Sequence, residues 1–109
     1  MINTMFASCI KACSNCALVC ETCASAGLRE DDIKMMARCI ELARDCAALC
    51  AMAATLMSRE SDYSKEVCAL CAEICRACSE ECAKHQMDHC QKCAKACMTC
   101  AEECERVAA

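Results

Sequence analysis

Cysteine recurs along most of this chain at alternating steps of three and four residues. The first run is Cys9, Cys13, Cys16, Cys20 and Cys23; the third is Cys68, Cys71, Cys75, Cys78 and Cys82. The fourth is Cys90, Cys93, Cys97, Cys100 and Cys104, and a sparser second run holds Cys39, Cys46 and Cys50. Steps of three and four place side chains on one stripe of an α-helix, the stripe that normally carries leucine and isoleucine into a core. Here that stripe consists of thiols. The pattern predicts helices that meet along their cysteines, with an interior able to hold soft metal ions.

The rest of the sequence leaves such helices uninterrupted. Proline is absent and Gly27 is the one glycine, so no strong helix breaker falls within a run. The chain divides at 27–32, 58–62 and 84–88, each a short cluster of turn or helix-start residues. Helices are predicted over 3–26, 31–57, 62–84 and 88–107, each roughly 30 to 40 Å long at about 1.5 Å per residue. Asp88, with Gln91 three residues on, resembles a capping box opening the last one. Connections this short make neighbours antiparallel. The expected fold is all-α: an antiparallel up-down-up-down four-helix bundle with a cysteine-lined core, one domain over residues 1–109.

Following the seam past the cysteines distinguishes the two ends. The first helix extends it to Phe6 and Ile2. The second reads Met36, Cys39, Ala43, Cys46, Cys50, Ala53, Met57, and the last ends at Val107. Antiparallel packing gathers Ile2, Phe6, Met57 and Val107 into an apolar plug, with Met57 assigned to packing. The opposite end collects Cys23, Met36, His85 and Cys90, with Met35, Met87 and His89 nearby, and reads as a mouth rimmed with soft donors. His85 lies on the seam and His89 one step off it; both, with Met36, are candidate ligands there. Met5, Met52 and Met98 are assigned to packing. Ala43 and Ala53 stand where a full ladder would have thiols, and predict a gap in any continuous chain of sites.

Composition narrows the function. A net charge of −4 argues against nucleic acid or an anionic membrane as partner, and no apolar stretch approaches the roughly 18 residues of a membrane span. The N-terminus lacks the basic flank and apolar core of an export signal, which places the chain in the cytoplasm. Thiols stay reduced there, so this cysteine density points to metal rather than disulfides. Residues three and four apart bring two thiolates to one ion and a neighbouring helix brings a third, an arrangement that suits Cu(I). Zinc prefers a closed tetrahedron, which straight helices supply less readily than pairs. Between about nine and about eighteen ions fit, depending on how far thiolates bridge. That is the arithmetic of storage. No acid–base constellation stands beside an open coordination position, so no enzymatic activity is expected. The alternatives are a zinc or cadmium buffer of metallothionein type and an iron–sulfur electron carrier. The second lacks the compact cysteine run and following proline of bacterial ferredoxins.

The most specific stretch is Cys-Ala-Leu-Cys-Ala-Glu-Ile-Cys-Arg-Ala-Cys-Ser-Glu-Glu-Cys-Ala-Lys-His over residues 68–85. It continues as Asp-His-Cys-Gln-Lys-Cys-Ala-Lys-Ala-Cys-Met-Thr-Cys-Ala-Glu-Glu-Cys over 88–104. On these residues the whole chain resembles the bacterial copper storage proteins, four-helix bundles that hold many Cu(I) ions along their axis, and most closely the cytosolic branch. The resemblance implies that all eighteen cysteines bind Cu(I), that His85 and His89 stand at the entrance, and that the chain forms a homotetramer.

Overall fold

A computed structural model describes residues 4–109 as four α-helices. They are α1 (Thr4–Gly27), α2 (Ile33–Ser58), α3 (Ser64–Ala83) and α4 (Asp88–Ala108). Each lies within about two residues of the span expected from cysteine spacing. Ile2, expected in the apolar plug, lies outside the described residues.

The helices form a ring: α1 packs on α2 and α4, and α3 packs on the same two. The bundle measures 45 × 21 × 18 Å, so its core is a narrow column running its length. All eighteen cysteines face that column with at most 1% of their surface exposed, and none is in a disulfide. Beside them Ala24, Ala43, Ala47, Ala53, Ala72, Ala94 and Ala101 are also buried, and their small side chains let the helices come close. Charged residues cover the outside. Glu21 pairs with Arg44 across α1 and α2 at 3.6 Å, and Arg76 with Glu105 across α3 and α4. Arg106 ties α4 to α1 by donating to the Met5 carbonyl and to Ser8 Oγ.

The helix ends show how the sequence sets the turns. Asp32 caps α2, its Oδ1 accepting from the Met35 N–H at 3.1 Å. Gly27 ends α1 where a Cβ would stand 2.9 Å from Ile40 Cγ1, so the lack of a side chain lets α1 and α2 approach. Glu60 takes a left-handed conformation (φ 51°) in the turn to α3. The capping box expected at α4 does not form. Met87 is the N-cap, without a side-chain hydrogen bond, and Gln91 instead donates through Nε2 to the His85 carbonyl at 2.6 Å. An amide has two donors, and the frayed end of α3 offered it unpaired carbonyls.

Two of the methionines assigned to packing are on the surface, Met5 at 47% and Met52 at 54% exposure. Both lie off the cysteine stripe. Met98 is partly buried, and its sulfur accepts from Arg76 Nη1.

Candidate metal centre

The cysteines are placed by helix periodicity alone: residues four apart on one helix bring their sulfurs to 3.8–4.0 Å, as in Cys9–Cys13, Cys16–Cys20 and Cys100–Cys104. The shortest contacts are between helices. Cys39 Sγ lies 3.3 Å from Cys82 Sγ, Cys46 lies 3.4 Å from Cys75, and Cys20 lies 3.5 Å from Cys97.

These contacts join into one path. From the plugged end it runs Cys9, Cys104, Cys13 and Cys100, then Cys50 with Cys71 and Cys75, then Cys46. From there it passes through Cys16 and Cys97 to Cys20, Cys93, Cys78, Cys82 and Cys39. The gap expected at Ala43 and Ala53 does not interrupt it. Both alanines are buried on the column, but α3 and α4 carry full ladders and their thiols bridge the level that α2 leaves empty. At the two ends of the path Cys68 meets Met57, and Cys23 and Cys90 meet at His89.

Several groups of four sulfurs stand within 4.8 Å of one another, among them Cys13–Cys71–Cys100–Cys104 and Cys20–Cys78–Cys93–Cys97. Straight helices therefore supply tetrads as readily as pairs, contrary to the expectation above. The groups overlap, however: Cys16 and Cys46 belong to more than one, as do Cys50 and Cys75. Overlap suits ions that share bridging thiolates and does not suit isolated closed tetrahedra.

Crowding divides the protons unequally. Cys97 is pushed above the ordinary thiol range, first by its hydrogen bond with Cys16, while Cys16 is pulled below it, first by Cys100. Toward the histidine end Cys39 is held down to about 3, first by Cys23 and then by Cys82. Cys90 is pushed up to about 12, chiefly by burial. The core thus holds shared protons, which any cation binding these sulfurs would have to displace.

At that end His89 Nδ1 lies 3.3 Å from Cys23 Sγ and 3.5 Å from Cys90 Sγ, while its Nε2 is 2.9 Å from Glu30 Oε2. A carboxylate on the outer nitrogen orients the ring so that the inner nitrogen faces the two sulfurs. His85, also at this end and buried, has its Nε2 3.0 Å from Glu81 Oε2. That hydrogen bond is the main reason the Glu81 carboxyl is held below its usual range. Met36 is fully buried beneath Gly27, its methyl 3.7 Å from where a glycine Cβ would be. Met87 is partly buried, and Met35 is half exposed. A surface cavity of about 260 Å³, lined by Leu18, Val19, Thr22, Asp88 and Lys92, reaches Cys23 and His89 between α1 and α4. Glu30 escaped the sequence argument because it lies in a turn and off every seam.

Comparisons with known proteins agree with this geometry. The profile of the family described as copper storage protein matches residues 2–109. An uncharacterised cysteine-rich protein of Bacillus subtilis is 50% identical over 82 residues, covering 75% of this chain and 76% of its own. Among solved structures, a Cu(I)-bound copper storage protein of the same organism superposes with TM-score 0.93 at 48% identity, covering 97% of this chain and all of that one. A cytosolic copper storage protein of Streptomyces lividans carrying five coppers superposes with TM-score 0.91 at 36% identity, covering 95% and 92%.

Proposed function

The chain belongs to the copper storage protein family, and we propose that it stores many Cu(I) ions on the thiolates of its column. The observation that carries this reading is the continuity of the sulfur path. Successive sulfurs 3.3–4.0 Å apart give each ion two or three soft donors and let neighbours share them. Eighteen thiolates with as many monovalent ions are electrically neutral, so a fully loaded core buries no net charge. A closed zinc centre with four thiolates is left doubly negative in the same dry interior. Charge as well as overlap therefore favours copper over a zinc buffer.

The metal-free thiols pack as small apolar side chains, so the bundle is formed before ions arrive. Cys23, His89 and Cys90, with Met36 and His85 close by, make up the entrance. Glu30 turns the His89 ring inward, and an ion held there passes to Cys39 and Cys82 and on along the path. We place the protein in the cytosol, as the Streptomyces relative is described, and assign it the homotetrameric assembly implied by the family resemblance. Among the described residues no helix is long and apolar enough to cross a membrane. Its activity is sequestration without catalysis.

Reduced, metal-free protein titrated anaerobically with Cu(I) beside a competing chelator, then desalted, tests the reading. Retention of more than about nine ions per chain at unchanged helicity is the expected result. Retention of one or two would make the protein a carrier or sensor and end the storage reading.

A further inference from the structure

We propose that Met57 is a Cu(I) ligand, its thioether closing the column opposite the histidines together with the thiolate of Cys68. This rests on the storage reading and extends it to a residue that spacing alone assigned to packing.

Met57 stands in the last turn of α2 and is fully buried. Its sulfur does not merely fill space: the Cys68 thiol donates to Met57 Sδ at 3.6 Å, within the range of the cysteine–cysteine contacts along the path. Cys68 is itself fully buried in the first turns of α3, and Cys9 and Cys104, whose sulfurs are 3.7 Å apart, are its neighbours in the column. Phe6 and Val107 supply the hydrocarbon of this end, so a leucine at position 57 would complete the plug equally well. A thioether adds only one thing to it, a soft donor.

The chemistry at the end of a column explains why that donor should be neutral. An ion in the middle shares thiolates with ions on both sides, and the charges balance along the array. The terminal ion has a neighbour on one side only. A second unshared thiolate would leave it negatively charged against hydrocarbon, at a large desolvation cost. A thioether completes its coordination with no charge and with no proton to displace. It also selects copper, because zinc takes thiolate, imidazole and carboxylate.

The test uses selenomethionine-substituted full-length protein loaded anaerobically with Cu(I), and selenium-edge X-ray absorption. Met57→Leu, a volume-conserving change, serves as the control. The expected result is a copper neighbour around selenium in the parent protein that diminishes in the variant, together with about one ion fewer retained by unlabelled Met57→Leu. A selenium spectrum without copper, or one that Met57→Leu leaves unchanged, overturns the assignment. Unlabelled parent protein retaining many ions alongside such a spectrum confines the failure to Met57. Parent protein retaining one or two ions brings down the storage reading itself.

Discussion

Burial disfavours the Cys90 thiolate and pushes its pKa up to about 12, and Cys90 shares His89 Nδ1 with Cys23. An ion arriving at this trio must expel that proton. Since the thiol's pKa is raised, the proton is present throughout the neutral range, and competition with it weakens only as pH rises. Affinity at the entrance should therefore increase roughly tenfold per pH unit for each proton displaced. Chelator competition with the first equivalent of Cu(I), between about pH 6 and about pH 8, reads this directly, and a flat profile would place the first ion elsewhere. The histidines allow a separate test. With both rings replaced in His85→Ala/His89→Ala, the column keeps all its thiols. Loading and release rates should change while total capacity does not. Unchanged rates in stopped-flow measurements would remove the entrance role.

Among the elements, α2 departs most from the repeat, and its start depends on one side chain. Asp32 Oδ1 satisfies the Met35 N–H, and Asp32→Ala should lower the stability of the metal-free protein by about 1 kcal/mol, measured by urea unfolding. Because Asp32 is outside the column, copper capacity should be unaffected; reduced capacity would mean the cap also orders the entrance. The helices themselves were readable from sequence because a single residue type marked the seam and nothing competed with the 3.6-residue period. Their bounds followed from polar clusters and held to about two residues. What spacing could not give was anything decided between helices. The gap at Ala43 and Ala53 is real on α2 alone, yet α3 and α4 close it. Gln91 looked like a local cap and serves a carbonyl of the preceding element. Glu30 and Met57 acquire their roles only from partners on other elements, His89 on α4 and Cys68 on α3.

Seen whole, the column has polarity: imidazoles and carboxylates at one end, hydrocarbon and a thioether at the other, and a sulfur path between. Cys16, Cys46, Cys75 and Cys97 meet at its midpoint, each of the others lying within 3.9 Å of a partner in the set through Cys46. Replacing all four by serine cuts the path. Cys20, Cys23, Cys39, Cys78, Cys82, Cys90 and Cys93 remain on the histidine side, and Cys9, Cys13, Cys50, Cys68, Cys71, Cys100 and Cys104 on the plugged side. Serine is close in size to cysteine, and four adjacent hydroxyls have one another as hydrogen-bond partners, so the helices should persist by circular dichroism. Capacity should fall by about four ions. The kinetics carry more information than the capacity. If ions enter past His89 and move from thiol to thiol, the histidine-side half fills at the parent rate and the plugged half fills slowly, giving two phases where the parent shows one. Two halves that fill equally fast would mean that ions reach the far end directly, and the plug of Phe6, Met57 and Val107 would not be a barrier to them.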